Sequence, residues 1–141
     1  MKSKAPLALM EQLVMVLVFA LAAALCLQVF VLSDQMSRRG AVRDQAVVRV
    51  QNAAEMLKSC GGDLEKCADL LGGSSDGTQW QVAYDAGWQQ TNAEESTYLV
   101  QADLVDEDEP LLGSAVVSAQ AVDGDMLFEV TVSWQEVAAH G

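Results

Sequence analysis

Near its start the chain carries a run of 26 residues, 7–32, in which only one side chain is charged. As an α-helix rising about 1.5 Å per residue, this run would measure roughly 39 Å, enough to cross a bilayer core of about 30 Å. A removable secretory signal usually has a shorter apolar core, of about 7–15 residues. The run therefore predicts a retained, single-pass transmembrane segment over residues 7–32 that contacts membrane lipid.

The one charge in this run is the carboxylate of Glu11. An unpaired carboxylate in the apolar core of a bilayer costs several kcal/mol, so such residues are rare and typically functional. Glu11 is therefore the first candidate site residue, and it needs a partner that offsets its charge.

The formal net charge of −12 is divided unequally along the chain. Residues 1–58 carry seven basic and four acidic side chains, a net charge of +3, whereas residues 59–141 carry sixteen acidic side chains and one lysine, a net charge of −15. The acidic part would repel the phosphates of a nucleic acid, so no nucleic-acid contact is predicted for it. The four consecutive acids at residues 106–109 are typical of a solvated surface, with calcium binding as the alternative.

These patterns divide the chain into three regions. Residues 1–6 form a short basic leader, residues 7–58 a long N-terminal helix that includes the membrane segment, and residues 59–141 an acidic globular domain. Basic residues flank the membrane segment on both sides, so the positive-inside rule gives a mixed answer. The acidity of the domain, together with its cysteines, favours a cytoplasmic N-terminus and an extracytoplasmic C-terminal domain in the cell membrane.

Beyond the membrane segment, the sequence predicts that the helix continues to residue 58 as an amphipathic extension. One stripe of near-heptad spacing carries its apolar side chains: Met36, Val47, Val50, Ala54 and Leu57. Such a stripe is typical of a helix that packs one face against another element. Gly40 interrupts the pattern and predicts a bend or local melting, because glycine costs about 1 kcal/mol relative to alanine inside a helix.

After a short second helix over residues 63–71, the pattern changes to the alternation of β-strands. Strands are expected at residues 79–84, 88–90, 97–105, 114–122 and 126–134. Asp-Gly between the last two is typical of a hairpin turn. The predicted fold class is α+β, with a long N-terminal helix packed on a small antiparallel sheet, since each needs the other to form a core.

Catalytic chemistry finds little support in this sequence, and no enzyme activity, cofactor or metal site is predicted. The only histidine, His140, stands one residue from the end, no phosphate-binding glycine loop follows a strand, and no metal-ligand cluster is present. Trp80, Trp88 and Trp134 are expected in the core or in cross-strand pairs rather than as ligand platforms.

Cys60 and Cys67 flank the turn into the second helix with six residues between them. In an oxidising compartment a disulfide between them could clamp that corner, stabilising the fold by roughly 2–3 kcal/mol. The alternative is a pair of buried thiols that pack as small apolar side chains. Cys26 lies in the predicted membrane segment.

The opening of the apolar run, Leu-Ala-Leu-Met-Glu at residues 7–11, resembles the Phe-Thr-Leu-Ile-Glu opening of type IV pilin-like proteins. The layout of the whole chain is also similar to theirs: a basic leader, an apolar helix with glutamate at the fifth mature position, an amphipathic extension and an antiparallel sheet. The resemblance implies that Glu11 is the subunit-assembly carboxylate, which neutralises the N-terminal amine of a neighbouring subunit. It also implies that Pro6 and Leu7 form the leader-processing junction.

Two positions depart from the family pattern. The family has glycine, or sometimes alanine, before the mature first residue, where this chain has Pro6 preceded by Ala5. The usual proline in the middle of the span is absent, and Gln28 stands at about that spacing. These departures indicate a divergent minor pilin or pseudopilin-like protein, and they leave open whether the leader is cleaved.

The expected function is therefore that of a structural subunit in a type IV pilus, competence or type II secretion-like filament. Its expected partners are other pilin-like subunits, a membrane assembly platform and a prepilin peptidase. The alternative is a signal-anchored extracytoplasmic protein-interaction domain that does not polymerise.

Overall fold

The computed structural model describes residues 4–136. Its elements, in chain order, are α1 (Ala5–Ser59), α2 (Leu64–Leu71), β1 (Ser74–Ser75), β2 (Gln79–Tyr84), a 3₁₀ turn (Ala93–Glu95), β3 (Tyr98–Val105), β4 (Leu112–Ala121) and β5 (Met126–Gln135). The five strands form one antiparallel sheet in the order of the sequence. The predicted α+β class, a long N-terminal helix with an antiparallel sheet, is confirmed.

The chain divides into two compact units between Gly40 and Ala41. In the described part of the first unit there is only helix, and its large apolar side chains are exposed. An 18-residue window of α1 has a mean hydropathy of 2.8 with none of it buried, so this helix is long and apolar enough to cross a membrane. The helix continues through Gly40, so the local melting predicted there does not occur.

The first turn of α1 accommodates a proline. The carbonyl oxygen of Lys4 accepts a hydrogen bond from the amide of Ala8 at 3.1 Å, and Pro6 lies between them. The first amides of a helix have no acceptor within it, so the missing N–H of Pro6 costs no hydrogen bond here.

In the second unit, one face of α1 packs into the core. Its buried residues are Ala46, Val50, Ala53, Ala54 and Leu57. The predicted stripe is correct at three of these positions, and Val47 is half-buried. The prediction that Met36 belongs to the packed stripe is wrong, because its side chain is 63% exposed. The buried face starts only after Gly40, where the second unit begins.

The sheet supplies the other half of this core. Register pairs Val82 with Val100 and Ala102 with Val117, so these side chains share one face and are buried. The opposite face carries polar side chains: Nε2 of Gln79 donates to Oδ1 of Asp103 at 2.6 Å, and Nε2 of Gln101 donates to Oδ2 of Asp103 at 3.2 Å. This alternation is that of an antiparallel sheet covered on one side.

Two strand predictions need correction. Residues 88–90 do not form a return strand, because Gln90 makes only an isolated bridge with Tyr84. The Asp85 carboxylate instead accepts hydrogen bonds from the amides of Gly87 and Gln89 and holds a local turn, in which Trp88 has a φ of 61°. The second correction is an omission, because no strand was predicted at Ser74–Ser75, which form the short strand β1 and pair with β2.

All three tryptophans are buried, as predicted, with 2%, 7% and 8% of Trp80, Trp88 and Trp134 exposed. Trp134 lies between two glycines, Gly62 after α1 and Gly113 in β4. A Cβ atom at either glycine would overlap the indole ring. The absence of side chains at these two positions therefore makes room for the ring.

Candidate functional site

Glu11 lies in the first unit, seven residues into α1. Residues three or four positions away share its side of the helix. Leu7, Val14 and Met15 occupy such positions, and all are exposed. The carboxylate therefore stands within an apolar helix surface that no other part of the described chain covers.

Within residues 4–136, the Glu11 side chain has no hydrogen bond or ion pair. Lys4 directly precedes the helix, seven residues before Glu11, a spacing of about 10 Å along a helix axis. It does not come within ion-pair distance of Glu11. The protomer thus leaves this carboxylate without a cationic partner of its own among the described residues.

The predicted processing junction, Pro6 and Leu7, lies within the first turn of α1. Pro6 is the second residue of the helix, and the hydrogen bond from Ala8 to Lys4 closes the turn around it. A peptidase that binds its substrate in an extended conformation would have to unwind this turn first. Cleavage at this junction stays a prediction.

Cys60 and Cys67 are both free thiols in the structure. Cys60 follows the end of α1 and is half-buried, whereas Cys67 lies in α2 and is 2% exposed. Burial raises the pKa of the Cys67 thiol, and a side-chain hydrogen bond with Cys60, the charge of Cys60 and the charge of Asp63 raise it further, from 9.0 to about 12. The fold therefore brings the two sulfurs together, and the disulfide between them stays a prediction.

Arg49 is a residue whose position the sequence did not reveal. It lies away from the predicted apolar stripe, yet it is half-buried, and its Nη2 donates to the carbonyl oxygen of Trp88 at 3.2 Å. The guanidinium carbon lies 5.2 Å from the ring centroid of Tyr84. Trp88 in turn stacks on Tyr98 with centroids 4.3 Å apart. A charged side chain is usually exposed, so the sequence pattern around Arg49 did not predict these contacts.

Three residues of the acidic segment, Asp106, Glu107 and Glu109, line a cavity of about 270 Å³, together with Gly113 and Trp134. Within this segment, a hydrogen bond holds the Glu107 side chain, whose Oε1 accepts from the hydroxyl of Ser114 at 2.5 Å. No group of three histidine, cysteine, aspartate or glutamate side chains within residues 4–136 is arranged to hold a metal ion. The calcium alternative therefore finds no ligand set in the part of the chain that the structure describes.

His140 lies outside the described residues.

No protein-family model matches this chain, no curated protein is significantly similar to it, and no solved structure matches it. What the protein does is therefore inferred from its own residues.

Proposed function

We propose that this protein is a membrane-inserted structural subunit of the minor pilin or pseudopilin kind, in a type IV pilus, competence or type II secretion-like filament. One observation carries the proposal: a single carboxylate, with no partner within residues 4–136, lies in the exposed apolar part of α1, and the same helix also packs on an antiparallel sheet. One part of α1 thus presents an exposed apolar surface that needs a partner, whereas another part is already packed on the sheet.

The physical role of Glu11 follows from the cost of its charge. In a membrane or in the apolar core of a filament, an unpaired carboxylate is strongly unfavourable, but one that meets a cation in the same layer is tolerated. The described protomer supplies no such cation at hydrogen-bonding distance. A neighbouring subunit can supply it, so pairing at Glu11 favours assembly over the isolated subunit.

The cation depends on what happens at Pro6. If the leader is removed, the new amine of Leu7 is the partner, as the pilin resemblance implies. If the leader stays, that amine does not form, and Glu11 needs another cation, such as Lys4. Only the first case gives the pairing with a neighbouring subunit's N-terminus that the pilin resemblance implies.

The alternative function is that of a signal-anchored domain that binds a partner protein outside the cytoplasm and never polymerises. Pro6 is the observation that favours it. A proline directly before the junction, inside a helical turn, hinders processing and so opposes maturation as a filament subunit.

The test compares Glu11→Ala and Glu11→Gln with the wild-type chain in its own host. Gln28→Ala is the matched control, because Gln28 is also polar and in the same apolar run. Recruitment to sheared filaments and to the assembly platform is measured by quantitative immunoblotting, and membrane insertion by carbonate extraction. We expect both Glu11 variants to insert normally and to lose recruitment about tenfold or more, since breaking a buried charge pair exceeds ~1.4 kcal/mol.

Equal recruitment of wild type and Glu11→Ala would rule out the proposed role of this carboxylate. Absence of the wild-type protein from filament and platform would favour the anchored-domain alternative. Intact mass spectrometry of the membrane form then identifies the cation, because a chain that begins at Leu7 exposes the amine and a chain that begins at Met1 retains Lys4.

A further inference from the structure

The two thiols beyond α1 are held at one corner of the fold by the residue between them. The amide of Asp63 donates to the carbonyl oxygen of Cys60 at 3.4 Å, and the amide of Cys67 donates to that of Asp63 at 3.1 Å. The Asp63 side chain also caps α2 by accepting from the amide of Lys66. Both cysteines are therefore tied to the same short backbone network.

The two thiols differ in accessibility. Cys60 packs against the edge of the core and is half-buried, whereas Cys67 belongs to the core and is 2% exposed. A reagent from solvent can reach Cys60 but has almost no access to Cys67. At this corner, the accessible thiol of Cys60 therefore lies next to the buried thiol of Cys67.

From this arrangement we infer that Cys60 and Cys67 form an oxidisable dithiol, in which Cys60 reacts first with a disulfide-bearing partner and Cys67 then completes an internal disulfide. The inference does not depend on the proposed assembly role of the helix. It goes beyond the spacing of the cysteines, because it assigns a different role to each.

The reaction balances as two thiol–disulfide exchanges. The Cys60 thiolate attacks one sulfur of the partner disulfide, a mixed disulfide forms, and the first partner thiolate leaves. Cys67 then loses its proton to water and attacks the Cys60 sulfur, which expels the second partner thiolate. Cys60 and Cys67 together lose two electrons, and the partner disulfide is reduced to two thiols.

The chemistry of Cys67 supports this order. With a pKa raised to about 12, Cys67 holds almost no thiolate near neutral pH and reacts slowly with any external disulfide. Once the mixed disulfide sits on Cys60, the attack by Cys67 is intramolecular, and proximity offsets its low thiolate fraction. Cys60 is half-buried, so an external disulfide reaches it for the first step.

Oxidation would fix the corner at which the two helices meet. The disulfide closes a short loop that contains Gly62, whose backbone lies against the Trp134 indole. The full-length protein in detergent is expected to gain roughly 10 °C or more in Tm on oxidation, from loop closure in a unit of this size.

The experiment treats the reduced full-length protein with oxidised glutathione in a Cys26→Ala background and follows the products by intact mass and peptide mapping. We expect the protein to lose two hydrogens, with a bond between Cys60 and Cys67. Cys67→Ala should accumulate one glutathione on Cys60, whereas Cys60→Ala should react at least about tenfold more slowly.

Three results would overturn the inference: a Cys60→Ala variant that reacts on Cys67 as fast as wild type reacts on Cys60, a wild-type protein that stops at a mixed disulfide, or one that stays reduced. If a variant does not fold, the same order is read from the wild-type protein. Brief iodoacetamide labelling under native conditions must then modify Cys60 well before Cys67.

Discussion

Arg49 and Trp88 are joined by a hydrogen bond that links the core part of α1 to the turn after β2. The donor is Nη2 of Arg49 and the acceptor the backbone carbonyl of Trp88, 3.2 Å apart. Trp88 has a left-handed φ of 61°, which a side-chain-bearing residue adopts only when its surroundings hold it there. Arg49 has no ion pair within residues 4–136, so its guanidinium is held by this carbonyl and by the Tyr84 ring, while its Nε is buried without a hydrogen-bond partner.

We expect Arg49→Ala to lower the free energy of unfolding by about 2–3 kcal/mol, through loss of a charged hydrogen bond and a cation–π contact. Urea unfolding of the detergent-solubilised chain, followed by tryptophan fluorescence, measures this. Arg43→Ala is the control, because Arg43 is exposed on the same helix and should change the value by less than about 0.5 kcal/mol. Similar effects at both positions would mean that the link to Trp88 contributes nothing.

Gly113→Ala should destabilise the fold by about 1–3 kcal/mol, because the new Cβ would overlap the Trp134 ring. Gly40→Ala makes the same chemical change where no atom lies within 4 Å of the new Cβ, inside a helix. It should therefore raise helix stability, by up to about 1 kcal/mol. Thermal melts of the two variants should shift in opposite directions, and a neutral Gly113→Ala would contradict the described packing.

The Cys67 thiol predicts a loss of stability in alkaline solution. Its pKa is raised from 9.0 to about 12, so the folded state keeps a proton that the unfolded state releases first. The stabilising effect of that proton is complete below pH 9 and is lost as the pH rises from about 9 towards 12. The difference in unfolding free energy between reduced wild type and Cys67→Ala should shrink over this interval. A pH-independent difference would show that burial does not hold the proton.

The carboxyl of Asp76 predicts a change in folding stability in acidic solution. The amides of Thr78 and Gln79 and the Thr78 hydroxyl donate to Oδ1 of Asp76, and these bonds lower the pKa of its carboxyl below 3.8. The contribution of the ionised form is present above that pH and is lost as the pH falls through the lowered pKa. Asp76→Asn should therefore be slightly less stable than wild type at pH 7, and the two should converge in acid.

Asp108→Asn is the matched control for Asp76, because Asp108 is exposed and accepts no hydrogen bond among the described residues. Its stability difference from wild type should not follow the same pH dependence. Equal pH profiles for the two variants would show that the turn bonds do not favour the ionised carboxyl of Asp76.

Strong local patterns predicted most of the fold, and the corrections have physical causes. The apolar run and the alternating strands follow from the hydropathy pattern that burial imposes on a single element, and the Asp-Gly hairpin follows from the backbone angles that its turn requires. Residues 88–90 were also predicted as a strand, but the Asp85 carboxylate accepts hydrogen bonds from two nearby amides, and this local bonding competes with strand pairing. Met36 continues the apolar stripe in sequence but precedes the packed unit.

For the candidate sites, the sequence predicted only the types and spacing of the residues, and not their burial or their contacts. A charge in an apolar run identifies Glu11, and spacing identifies Cys60 and Cys67, because both patterns are local. The difference in burial between the two cysteines depends on how α2 lies against the sheet, which no local pattern contains. Arg49 was missed since a positive charge marks a residue as exposed unless its aromatic neighbours, distant in sequence, are known.

The strand order of the sheet has a consequence for how the protein is made. Every strand pairs with its neighbours in the sequence, so each new hairpin can form on strands already in place. Short-range pairing of this kind shortens the conformational search and speeds folding. Synthesis from the N-terminus first completes the helix and then adds β1 to β5 in turn. The domain can thus acquire its structure strand by strand as it emerges, and β5 is the last to join.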